Sequence, residues 1–125
     1  QVDKVGNRIA VGTGSAYDLF LSREIKHAQL VREANVASVV EAFLEQGLEV
    51  AAGIKQALQS KAQANPKLRL LDGHFMVIEQ AMGVPKKYGA EVADYVNAFV
   101  KEMKQSGFVS AAMNRYGVTG ASVAP

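Results

Sequence analysis

The sequence predicts an α/β fold: a mostly parallel open sheet with helices on both faces. Three observations carry this. Short apolar runs rich in β-branched residues alternate with stretches of helical periodicity. The early runs end at glycine, serine or asparagine, the residues that turn a strand into a capped helix. Apolar residues make up 49% of the 125 and charged residues 21%, enough apolar surface for one buried core. Strand–helix–strand units with right-handed crossovers then place helices on either side of the sheet.

Ile9-Ala10-Val11 reads as a buried strand, broken by Gly12-Thr13-Gly14-Ser15. Ser15 suits a helix N-cap, and a helix follows from Ala16 to about Ile25. Gln29 to Arg32 is a second short strand. Asn35 is the N-cap of a second helix, whose Val36, Val39, Val40, Phe43 and Leu44 share one face, and Gly47 ends it. Glu49 to Ile54 reads as a third strand, and Lys55 to about Ala64 as a helix stopped before Asn65-Pro66. Leu68–Leu71 and Phe75–Ile78 read as fourth and fifth strands. After the turn at Gly83-Val84-Pro85, a long helix carries the stripe Val92, Val96, Phe99, Val100 and Met103. Gly107 ends it, Phe108 to Tyr116 is a last helix, and Gly117 to Pro125 is irregular.

Composition narrows the function classes. The absence of Cys excludes a disulfide framework, a thiolate nucleophile and a Cys-based zinc site. Fourteen Lys and Arg against twelve Asp and Glu leave a net charge of +2, and the positive residues are scattered. A nucleic-acid surface needs a concentrated basic stripe with aromatics, so no nucleic-acid partner is expected. No apolar run reaches the roughly 20 residues of a membrane helix. The length predicts one domain or one lobe of a larger protein. The chain opens on Gln1 and carries no signal-peptide pattern of its own.

In a parallel sheet, ligands bind where strand C-termini meet helix N-termini. That directs attention to residues 12–17, 34–38 and 53–57. At the first junction, Thr13, Gly14, Ser15 and Ala16 offer flexible backbone, two hydroxyls and free helix-start N–H groups, which suit a carboxylate or phosphate. The motif lacks the third glycine of a dinucleotide fingerprint and the Gly-Lys-Ser/Thr of a P-loop, and an ordinary capped turn would look the same. Asn35 is the polar residue of the second junction. Lys55 stands at the positive end of its helix, where a cation costs about 0.3–1 kcal/mol. Such a breach of a local rule marks either a ligand-pairing cation or a plain solvated lysine. Tyr17 either stacks on a ligand or packs beside the turn. A Ser15–His74–Asp18 triad can be written, but no nucleophile elbow supports it, and two distant His residues give no metal spacing. No cofactor is expected.

The segment Val5-Gly6-Asn7-Arg8-Ile9-Ala10-Val11-Gly12-Thr13-Gly14-Ser15-Ala16-Tyr17-Asp18 resembles the opening of the second lobe of the amino-acid-type (family 3) solute-binding receptors of ABC importers. The order of later parts is similar too: Gly47-Leu48-Glu49-Val50-Ala51-Ala52-Gly53, then a long amphipathic helix, then Gly107-Phe108-Val109 and a short helix ending Arg115-Tyr116-Gly117-Val118. The resemblance covers nearly the whole chain.

It implies a lobe of the type II periplasmic-binding fold. Residues 1–74 would form the second-lobe ligand-binding part, and 75–125 a return strand and helices that pack on a first lobe absent from this sequence. Without that lobe, the stripe from Val92 to Met103 would need another partner, and the chain would dimerise or swap. The resemblance further implies a periplasmic protein made with a signal peptide, binding a small anionic or amino-acid-like solute and handing it to a membrane permease. It implies hinge closure and no catalysis. Gly14, Ser15 and Ala16 map onto the family's carboxylate-binding helix start. Lys55 stands where the family places the Asp that binds the solute's ammonium, which argues for a solute with a second anionic group or without an ammonium. Two other readings share the architecture: the effector domain of a LysR-type transcription regulator, and a dehydratase-like enzyme acting on a cyclic acid.

Overall fold

The computed structural model describes residues 2–125. The chain is α/β and forms two compact units, one ending at Val77 and the other running from Ile78 to Pro125.

The first unit holds β1 (Arg8–Gly12), α1 (Ala16–Glu24), β2 (Gln29–Glu33), α2 (Val39–Glu45), β3 (Val50–Ala51) and α3 (Lys55–Ala64). The three strands make one open sheet in the order β2-β1-β3, and both pairings are parallel. β1 is central, and Ile9, Ala10 and Val11 are almost wholly buried. A continuous apolar run is what a parallel strand covered on both faces requires. Alternation along β1 sorts the core in two. Ile9 and Val11 cluster with Tyr17 and Leu21 of α1 and with Ala52. Ala10 clusters with Val39 of α2 and with Leu48. Helices α1 and α2 therefore cover opposite faces, as the crossover rule requires. Helix α3 buries no residue and is tied to α2 by the Lys61–Glu41 ion pair.

Local chemistry sets the ends of these elements. Gly47 follows α2 with φ +58°. Its N–H donates to Leu44 O at 3.3 Å and the Leu48 N–H donates to Phe43 O at 3.0 Å, the paired bonds of a Schellman stop. Asn35 caps a single 3₁₀ turn, Val36–Ser38, rather than α2 itself, which begins at Val39. At the amino ends of β1 and β3, Arg8 grips Glu49 through two side-chain bonds, Nε–Oε2 at 3.0 Å and Nη2–Oε1 at 2.8 Å, and also donates Nη2 to Gly47 O.

Two expected strands do not form. Leu68–Leu71 and Phe75–Ile78 lie outside regular structure, and the expected third strand, Glu49 to Ile54, shortens to Val50–Ala51. A strand exists only where a neighbour completes its ladder. Here the sheet ends at β3, so these runs find no backbone partner. Leu68 N–H closes a turn on Asn65 O instead. Phe75 packs its ring against Phe20 at 5.9 Å, and Met76 packs against the α1-side core. Leu71, Phe75 and Val77 nonetheless remain exposed.

The second unit holds a 3₁₀ turn, Lys86–Tyr88, then α4 (Gly89–Gln105) and α5 (Phe108–Arg115). The stripe Val92, Val96, Phe99, Val100 and Met103 lies along α4 as the periodicity predicts. No residue of either helix is fully buried, and Phe99 stays 43% exposed.

Candidate functional site

Parallel strands bring the three strand-to-helix junctions to one edge of the sheet. α1 lies on one face, and α3 is bonded to α2, which lies on the other. The junctions after β1 and β2 lead into helices on opposite faces, and the β3 junction stands beside that of β1; ligands of open parallel sheets bind at such carboxyl ends.

The β1 junction is tightly built. Gly12 is buried, and a Cβ placed on it would stand 2.6 Å from Val36 Cγ2, 3.2 Å from Val36 Cα and 3.0 Å from Tyr17 Oη. Only glycine lets the two junctions approach so closely. Thr13 N–H extends the β1–β2 ladder by donating to Glu33 O at 2.9 Å, and Ser15 N–H closes the turn on Gly12 O at 3.1 Å. Ser15 is the N-cap, its Oγ accepting from the Asp18 N–H at 3.1 Å.

Asp18 completes the arrangement. Its carboxylate is 4% exposed and reaches back over the turn, where Oδ2 accepts from the Gly14 N–H at 2.9 Å. Oδ1 accepts from Arg32 Nε at 3.0 Å and from Ser22 Oγ at 3.3 Å. Arg32 Nη2 donates to Ser22 Oγ at 2.7 Å. A buried charge needs such a set of donors. The expected anion cradle is thus partly filled by the protein's own carboxylate. The Gly14 amide is taken. The Ser15 hydroxyl proton and the Ala16 and Tyr17 amides are not used by any of these bonds.

The remaining candidates sit around this turn. Asn35 spends its Oδ1 on the Ala37 N–H at 2.9 Å, so its role is that of a cap. Lys55 is the first residue of α3, is exposed, and makes no ion pair among the described residues. Several other charges are engaged by partners. Hydrogen bonds from Arg8 bring the Glu49 carboxyl down to about 2, and the same pair raises Arg8. Hydrogen bonding to Lys61 lowers Glu41. Asp3 is lowered by the backbone N–H groups of Ala28, His27 and Lys26.

The structure thus joins Thr13, Gly14, Ser15 and Ala16 in one turn, with Asn35 beside it and Lys55 beyond the neighbouring strand. Asp18 is engaged by Gly14, Ser22 and Arg32, with no His among its hydrogen-bond partners. In the sequence Asp18 enters only as a member of an unsupported triad, and Arg32 is not singled out at all. The Ser15-x-x-Asp18 spacing of a capping box was the signal for the first. Nothing local signals Arg32, which reaches Asp18 only because β2 pairs beside β1.

A shallow groove of about 640 Å³ lies in the second unit, lined among others by Met82, Val96, Val100 and Val123. Its Lys104 ammonium is bonded to Pro125 O, and it shares no residue with the junctions. Among the described residues no three metal-ligating side chains gather, and no helix is long and apolar enough to cross a membrane. Comparison with family models, curated proteins and solved structures finds no match to this chain.

Proposed function

We propose that this chain is the second lobe of an extracytoplasmic solute receptor of the amino-acid type. It captures a small carboxylate-bearing or amino-acid-like solute by hinge closure and delivers it to the permease of an ABC importer in the cell envelope. Its work is binding, not catalysis. The observation that supports this best is the β2-β1-β3 order, which sets the Gly12–Ala16 turn and Lys55 after adjacent parallel strands, at the same carboxyl end of the sheet. In this reading the Ser15 hydroxyl and the Ala16 and Tyr17 amides receive one solute carboxylate, and Lys55 faces a second anionic group. A first lobe supplies the other wall and covers the apolar stripe of α4, and a second copy of the chain covers it when that lobe is missing. Closure then follows from the solute's greater affinity for the closed form.

The test is calorimetric titration of the chain and of Lys55→Asp with the standard amino acids and succinate. Reversing this charge is expected to weaken the tightest-binding anionic solute about tenfold or more, the size of one charge-assisted hydrogen bond. The substitution also places an acid at a helix start, which favours folding slightly, so lost affinity should come with an unchanged or higher melting temperature. Equal affinity in the two proteins would refute the role of Lys55, and no saturable binding of any of these solutes would refute the receptor reading.

A further inference from the structure

Tyr17 carries a hydroxyl that the fold leaves unused. The residue is 4% exposed, and its ring is clamped among Ile9, Val11, Leu21 and Ala52. Its oxygen ends at the carboxyl edge of β1. The place a Gly12 Cβ would occupy lies 3.0 Å from Tyr17 Oη and 2.6 Å from Val36 Cγ2. Besides the tyrosine oxygen, the nearest atoms to that point are carbons of Val36, its Cγ2 and its Cα at 3.2 Å. Three backbone amides of the turn are already engaged: Thr13 N–H with Glu33, Ser15 N–H with Gly12, and Gly14 N–H with Asp18. No hydrogen bond to Tyr17 Oη occurs among the described residues.

Buried tyrosines ordinarily find a partner for the hydroxyl, and an unpaired one calls for an explanation. This oxygen is not sealed in. Among the described residues the one fully enclosed polar side-chain atom without a partner is Glu41 Oε2. Tyr17 Oη is therefore not fully enclosed, and it lies beside the point where Gly12 meets Val36.

We propose that Tyr17 is a solute-binding residue, its hydroxyl donating to an oxygen of a solute carboxylate held at the β1 junction. The inference rests on the receptor reading and adds a residue to its site. The ring cannot swing away, because the core holds it, so the donor is set in place before the solute arrives. Such preorganisation adds affinity without an ordering cost on binding.

The experiment is an amide-resolved NMR titration of the chain and of Tyr17→Phe with the standard amino acids and succinate, together with thermal melts of both proteins. Phenylalanine keeps the packing and removes only the hydroxyl. The expected result is a solute that shifts the Ser15 and Ala16 amides and binds Tyr17→Phe about tenfold more weakly, at an unchanged melting temperature. Equal affinity for that solute would overturn the role of Tyr17 and leave the receptor reading standing. A lower melting temperature for Tyr17→Phe would reveal an internal partner and overturn it as well. Shifts confined to other parts of the chain, or none with any of these solutes, would overturn both.

Discussion

Gly12→Ala tests how the candidate site is built. The added methyl would sit 2.6 Å from Val36 Cγ2 and 3.2 Å from Val36 Cα. Apolar carbons pack at about 3.5–4.0 Å, so the overlap with Cγ2 is about 1 Å. Rotating Val36 relieves only part of it, because its backbone crowds the methyl too. Overpacking of this kind costs about 1–3 kcal/mol. Gly12 is not among the residues of positive φ, so alanine suffers no backbone strain. It gains about 0.4–1 kcal/mol by restricting the unfolded chain. The net expectation is a loss of about 1–2 kcal/mol, which for a unit of this size lowers the melting temperature by roughly 4–16 °C. Urea unfolding gives the free energy directly. Val36→Ala in the same chain removes the clashing Cγ2, so the double variant should lose less than the sum of the two single losses, and the cycle isolates the contact. A Gly12→Ala protein as stable as the parent, or strictly additive losses in the cycle, would show that the two junctions do not meet as described.

Two further predictions concern charges. Asp18→Ala leaves the Gly14 amide unpaired and strips Arg32 of its carboxylate, and should cost about 2–4 kcal/mol in urea unfolding, less than a fully buried pair because Arg32 is half-exposed. A loss under about 0.5 kcal/mol, typical of a surface site, would contradict the buried network. The Glu49 carboxyl is held at about 2 in the folded chain against an ordinary 4.5. The unfolded chain therefore takes up this proton first, so the stabilisation is complete above 4.5 and drains away as pH falls toward about 2. The lowered Asp3 and Glu41 carboxyls act in the same direction. Arg8→Ala should flatten the decline of the urea midpoint across that window, and an unchanged slope would mean that the pair does not persist in solution.

Much of the fold is legible from punctuation. Gly12 to Ser15 marks the end of β1 and the cap of α1, Gly47 the end of α2, and Asn65-Pro66 the end of α3, because each of these residues acts on its own few neighbours. The stripe of α4 is legible for the same reason, since one helix suffices to display it. Leu68–Leu71 and Phe75–Ile78 are misleading because a strand is a property of two segments, and propensity speaks for one. The site divides in the same way. The Gly14-Ser15 helix start is visible in the residues. That its first amide is already taken by Asp18, while Tyr17 keeps an unpaired hydroxyl, depends on where side chains end up.

The sequence by itself determined the α/β class, the alternation that buries β1 on both faces, and the junctions that carry the candidate residues. Periodicity, capping and glycine conformation are local physics and need no distant contact. Only the tertiary structure decided the strand order, the extent of the sheet, the Asp18–Arg32 network and the contact between Gly12 and Val36. Each of those joins segments far apart in the chain, and their free energy exists only once the core has brought them together.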